Sequence, residues 1–405
     1  MVGRASSGGY QDCAGHEAGF PGADCACRRC SGNMEPMSIT APSPPRLADL
    51  FSASYAVARQ RLLAAAAARG LQVEHHVHPL RGKDGEELAM DVVRDGPATA
   101  RCVLLLSSGV HGVEGHAGSA VQTGLLALRP ILVEPDERDL AVVHVHAVNP
   151  YGFSFGRRVN EDNVDLNRNF VDFSQPLPDN ADYRAAHTLL LPAHWPPSPA
   201  QKQDLAALTT AWGPRRSQLA LSGGQHSHPD GLFYGGLQPS WSNRVFREVL
   251  HRHAGSAEHL AWIDLHTGLG PYGVGERIFA SDDGGGALQR ARRWWGENIT
   301  SVHTGSSTSI PMTGPIQNAV KDACPQAAYT GICLEFGTVP SAAMHEALCA
   351  EQCWHAQSQK DPAQAAAIQQ QMLDAFYPRR SDWMQAIWSQ GCEATEQAVS
   401  GLRSV

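Results

Sequence analysis

His111 and Glu114 stand three residues apart in the stretch CVLLLSSGVHGVEG, Cys102 to Gly115, with Gly109, Gly112 and Gly115 around them. The apolar run before them reads as a buried strand that stops at Ser107 and Ser108. An imidazole and a carboxylate placed just past a strand end can aim at one point, and glycines let the backbone turn tightly enough to do so. That is the geometry of a zinc site in an α/β fold, where ligands gather beyond the carboxyl ends of the strands. Short motifs also arise by chance in a chain with 19 histidines, and a capped loop opening a helix would read the same way.

A second stretch, NPYGFSFGRRVNEDNVDLNRNF from Asn149 to Phe170, combines turn chemistry with Arg157, Arg158, Asn160, Asn167, Arg168 and Asn169 around little apolar mass. A solvated loop can look like this. So can a site that holds anionic and carbonyl oxygens, because guanidinium offers a rigid fork of donors.

Taken in order, His111-x-x-Glu114, Asn149-Pro150-x-Gly152, Arg158-x-Asn160 and the run Val164 to Phe170 resemble the zinc carboxypeptidase (carboxypeptidase A-like) superfamily. The wording HGVEG, NVDLNRNF, DLHTGLGPYG and LEFGT is closer still to its uncharacterised branch, domain of unknown function 2817. The resemblance spans ordered motifs from about Leu104 to Pro340 and implies one zinc per chain on His111, Glu114 and a later histidine. His266, ending the apolar strand AWIDLHTG, fits that third place. It also implies a catalytic glutamate late in the chain. Glu335 fits, being a carboxylate inside the apolar run YTGICLEF, where an unpaired charge would be very costly.

The roles that follow from the resemblance are specific. Zinc lowers the pKa of its water to about 7, Glu335 acts as general base and then acid, and Arg158 stabilises the oxyanion. Asn167 and Arg168 grip a substrate carboxylate, while Asp264 and Asp165 orient ligands or arginines. The implied activity is amide hydrolysis on a small peptide, with N-acyl amino acid deacylation as an alternative and an inactive peptide-binding scaffold as a more remote one. One family feature is missing: no tyrosine stands some twenty residues before Glu335, leaving Tyr234, Tyr272 or Tyr329 as substitutes. No His-Glu-x-x-His occurs.

The elements that must position these residues alternate. Leu47 to Arg69 reads as a helix, Leu71 to Leu80 and Glu87 to Arg94 as strands around a Gly82–Gly85 turn, and Leu140 to Val148 as another interior strand holding His144 and His146 as packed residues. His116 to Leu128 between strands gives the βαβ order of an α/β fold, a mixed, mostly parallel central sheet flanked by helices. Helices are expected over Ser341 to His355, Pro362 to Phe376 and Trp383 to Leu402. The stretch from about 171 to 258, rich in Gly, Pro and aromatics, is expected to be a loop-rich insertion over the cleft. Its His226-x-His228 pair is a further candidate for metal.

Residues 46–405 thus form a single catalytic domain, and 1–45 a disordered or spurious extension in which Cys13, His16, Cys25, Cys27 and Cys30 give at most an irregular zinc knuckle. A net charge of -8 makes no electrostatic case for nucleic acid or anionic membrane, and no apolar run approaches a membrane span. Scattered cysteines without a secretory signal read as reduced thiols of a cytoplasmic protein. The oligomeric state is not legible.

Overall fold

The strands, in chain order, are β1 Val73–Arg81, β2 Glu87–Asp95, β3 Cys102–Ser108, β4 Leu140–His146, β5 His259–Gly268, β6 Gly275–Phe279, β7 Thr300–Ser301 and β8 Ala328–Gly337. This computed structural model describes residues 46–128, 132–134, 136–281, 286–356 and 362–405. The readings of residues 1–45, including the cysteine knuckle, lie outside them.

The strands form one sheet ordered β1-β2-β4-β3-β5-β8-β6-β7. Its centre, β4-β3-β5-β8, is parallel. On one side β2 and β1 add antiparallel through the expected hairpin. On the other side β6 runs antiparallel to β8 and carries the short β7. The fold is α/β with a mixed, mostly parallel sheet, as expected from the alternation of elements.

Strand alternation decides which residues face which layer, since successive side chains point to opposite faces. Along β3, Cys102, Leu104 and Leu106 join one core with the helices Gly115–Leu128 and Ser381–Arg403. Val103 and Leu105 join the opposite core, with the helix Trp241–Ala254. On β5 and β8 the same rule sends Ala261, Ile263, Leu265, Ile332, Leu334 and Phe336 to the first core. Asp264, His266, Cys333 and Glu335 are thereby left on the other face, at the carboxyl ends. From β3 the chain proceeds to β4 on one side and to β5 on the other, so those ends border the crevice where such sheets place ligands.

Two expectations need correction. The helix expected over Leu47 to Arg69 is broken: Leu47–Leu50 ends, and Tyr55–Ala68 restarts with Ser54 as N-cap, its hydroxyl accepting from Val57 N–H. The 171–258 stretch is not loop-rich but largely helical, with Ala181–Leu190, Pro199–Ser222 and Trp241–Ala254. Asn180, Ser198 and Ser240 cap these helices, so its polar residues start helices where composition suggested loops. The three C-terminal helices are Ser341–Ala356, Pro362–Phe376 and Ser381–Arg403, close to their expected bounds. Among the described residues no helix is long and apolar enough to cross a membrane.

His144 and His146 are packed strand residues: both are buried, and His146 Nε2 lies 2.9 Å from Ser119 Oγ. Burial pushes His144 down to about 3, and pushes His146 and His116 down to about 4, so all three are neutral in the folded chain. Because the unfolded chain binds these protons at about pH 6.5, stability is held above that value and lost as pH falls toward the folded values. Together they are expected to contribute a slope of up to about 4 kcal/mol per pH unit between pH 6 and 4. Urea unfolding midpoints across that range check this, and a flat profile would contradict it.

Candidate metal centre and catalytic cavity

His111 precedes a short 3-10 turn, Gly112–Glu114, that leads into the helix Gly115–Leu128. The turn is pinned from outside, for Gly112 N–H donates to Arg158 O and Val113 N–H to Arg157 O. Gly112 packs so closely on Gly152 and Phe153 that a Cβ would fall on their backbone atoms. Gly112→Ala is therefore expected to cost about 3 kcal/mol, the upper end of overpacking. It should also lower metal uptake, both read from denaturant unfolding and metal content.

The fold carries His266 to the same place from β5. His111 Nδ1 lies 2.9 Å from Glu114 Oε1, and His266 Nδ1 lies 3.0 Å from Glu114 Oε2. One ligand atom from each of His111, Glu114 and His266 lies within 4.8 Å of the others, and all three residues are buried. Each imidazole is backed by a carboxylate on its far nitrogen. His111 Nε2 is 3.1 Å from Asp165 Oδ1, and His266 Nε2 is 2.7 Å from Asp264 Oδ2. Asp264 is held in turn by Ser107 Oγ at 2.5 Å, which accepts from Trp262 Nε1 at 2.7 Å. Outer carboxylates of this kind fix the tautomer and orientation of metal-binding histidines.

The electrostatics favour positive charge at the centre. Burial opposes it, yet Asp264 and Glu114 hold His266 well above its ordinary pKa. Burial likewise pushes Glu114 up, but His111 and His266 hold it below the usual carboxylate range. His111 Nδ1 is buried and faces Glu114 Oε1 and no other polar partner among the described residues. Two imidazole nitrogens and a carboxylate, buried and convergent, fit a divalent cation of the zinc type.

A cavity of about 530 Å³ opens on this cluster and is also lined by Arg158, Asn167, Arg168 and Glu335. The seven residues given metal-binding, catalytic or carboxylate-gripping roles from the sequence thus line one cavity. Glu335 sits opposite His266 in the β5–β8 register, and its Oε1 accepts from Leu269 N–H at 2.9 Å. Burial first, and then the charge of Glu114, push its carboxyl up to about 7. Arg158 donates Nε to Asp165 at 3.0 Å and Nη1 to Glu114 at 3.2 Å, leaving Nη2 for another group. Asn167 Oδ1 accepts from Ile316 N–H at 2.9 Å.

Arg168 donates only to main-chain oxygens, of Asn167 and Ser222, and burial pushes its pKa down to about 10. It has no carboxylate partner among the described residues. Both guanidiniums lie over the Phe233 ring, each with its Cζ 5.4 Å from the centroid.

Other candidates fall elsewhere. His226 donates Nδ1–H to Gly236 O at 2.7 Å, and the His228 ring packs at 33° against that of His187, so neither joins the cluster. No tyrosine lines the cavity among the described residues. Tyr234 is in the core, Tyr272 is 43% exposed near Asp382, and Tyr329 lines a neighbouring cavity. Phe233 and Cys333 line the cavity without having been singled out. The alternation of β8 could have found Cys333, two residues before Glu335, whereas nothing local marked Phe233.

Sheet and cluster together define an α/β protein with a candidate metal centre at the carboxyl ends of its parallel strands. The chain matches, over residues 51–390, the family described as a protein of unknown function, DUF2817, and belongs to it. It is similar to the solved carboxypeptidase A from Helicoverpa armigera, at 12% identity over 85% of this chain and 73% of that one, with a TM-score of 0.42. It is also similar to thrombin-activatable fibrinolysis inhibitor, at 14% identity over 89% and 78%, with a TM-score of 0.48. A third likeness is to the murein-tripeptide amidase of Escherichia coli O157, at 18% identity over 72% and 97%, with a TM-score of 0.33. No protein of curated function matches the chain in sequence. Likenesses this distant leave the chemistry to the residues of the cavity.

Proposed function

We propose that the chain is a zinc-dependent, carboxypeptidase-like hydrolase of amide bonds, with one zinc per chain on His111, Glu114 and His266. The observation that carries this reading is the convergence of those three donors, each imidazole backed by a carboxylate, on the cavity that also holds Glu335, Arg158 and the buried Arg168. A zinc ion held there supplies Lewis acidity, which activates water and polarises a carbonyl.

The chain's own groups do the rest. Glu335, poised near neutrality, takes the proton of the attacking water at its carboxylate and delivers it to the leaving amine. Arg158 is oriented by Asp165 and Glu114 and offers Nη2 to the oxygen that gains charge, a donor of the kind worth about 3 kcal/mol. Arg168, charged and without a carboxylate partner among the described residues, pairs with a carboxylate on the substrate, and Asn167 adds its amide nitrogen.

The substrate is accordingly a small molecule with a free carboxylate next to the scissile amide, most simply a peptide cut at its carboxyl end. The lack of a lining tyrosine among the described residues favours a second class, N-acyl amino acids, which need no closure over a long chain. Cytoplasmic placement belongs to the same reading.

Metal content by mass spectrometry on wild type beside His266→Ala tests the centre. About one zinc per chain is expected in wild type and essentially none in the variant. Panels of short peptides and of N-acyl amino acids then separate the two substrate classes. A wild type that takes up no metal when zinc is supplied would overturn the proposal.

A further inference from the structure

Cys333 lines the cavity, and the hydrolytic reading leaves it unused. It stands two before Glu335 on β8 and so shares its face, and it pairs in register with Asp264 as Glu335 pairs with His266. Its thiol is free and partly exposed at the cavity wall, with Sγ 3.9 Å from Glu335 Oε2. One ligand atom from each of His266, Cys333 and Glu335 lies within 4.8 Å of the others. We propose that these three residues form a second metal seat, suited to thiophilic divalent cations, that shares His266 with the first.

The donor chemistry sets the selectivity. Sulfur with imidazole and one carboxylate suits zinc or cadmium and disfavours magnesium or calcium, which prefer all-oxygen sites. The first seat has no sulfur, so a soft cation distinguishes the two. Because both seats draw on the imidazole of His266, filling one competes with filling the other.

Binding needs no redox partner: the thiol proton leaves to solvent as the sulfur–metal bond forms. Occupation of the second seat takes up the Glu335 carboxylate and His266 together. A soft cation there silences turnover, a consequence that rests on the hydrolytic reading, whereas the seat itself does not.

The test uses the full chain with Cys13, Cys25, Cys27 and Cys30 replaced by serine, titrated with cadmium chloride while the ultraviolet thiolate-to-cadmium charge-transfer band is followed. The band is expected to saturate near about one cadmium per chain. It should be missing in both Cys333→Ser and Cys333→Ala, two variants of different polarity that guard against a folding defect. In His111→Ala, where competition for His266 is relieved, cadmium should bind about tenfold tighter or more. A band that persists without Cys333, or that disappears in His111→Ala, would overturn the seat. If hydrolysis is never found but the band behaves as stated, the seat stands and the hydrolytic reading falls.

Discussion

Glu335→Gln is expected to lower turnover a hundred- to ten-thousandfold while leaving metal content unchanged. The amide keeps the shape of the carboxylate, and its oxygen still accepts from Leu269 N–H, so the strand end and His266 opposite it stay in place. What is lost is the ability to take a proton. Folding stability should hold or rise, because burial and the neighbouring Glu114 charge already push the Glu335 carboxyl up to about 7, and a neutral group escapes that cost. The same assignment fixes the sign of the pH dependence. The rate needs the carboxylate, so it falls with pH on the acidic side, and a bound cation moves that limb below about 7. Steady-state rates with metal analysis on one preparation are the check. Near-normal turnover in Glu335→Gln would remove it as the base, and loss of metal would place it among the ligands instead.

Asp165→Ala is expected to damage both folding stability and metal affinity, though Asp165 is not itself one of the three candidate ligands. Asp165 is fully buried, and its two oxygens serve His111 Nε2, Arg158 Nε and the backbone N–H of Asn167. Burial alone would push its carboxyl up, yet Arg158 and His111 hold it well below the usual range, so it is charged and paired. Removing it leaves a largely buried guanidinium and a buried imidazole without their common partner, which should cost about 3 kcal/mol of stability, the lower end for a broken buried pair. Metal affinity should fall about 10–100-fold, as when outer partners of metal-binding histidines are lost. Urea unfolding of the chelated protein measures the first effect and competition with a chromophoric chelator the second. A stability loss under about 1 kcal/mol would mean that Arg158 and His111 do not depend on Asp165 as the geometry indicates.

Some of this was legible residue by residue. The strand–helix–strand order and the glycine-bracketed His111 and Glu114 are local signals, because periodicity and turn chemistry act over a few residues. The isolation of Glu335 in an apolar strand is equally local, since a charge where only apolar side chains belong must have a reason. The break after Leu50 and the helices between 171 and 258 were not legible, because capping residues look like loop residues until the backbone between them is seen to coil. Composition there pointed the wrong way.

By itself, then, the sequence pointed to the α/β class and to the residues that are candidates for acid–base, anion-binding and metal-binding chemistry. Only the tertiary structure decided that residues as far apart as His111, Arg168, His266 and Glu335 share one cavity. The reason is register: parallel pairing of β3 with β5 and of β5 with β8 brings their carboxyl ends level, and a slip of one residue would turn His266 and Glu335 to the opposite face. The pairing of each imidazole with Asp165 or Asp264, the aromatic ring of Phe233 under both arginines and the thiol of Cys333 beside Glu335 follow from that packing. Contacts between distant segments are set by how layers pack, which no local pattern of residues records.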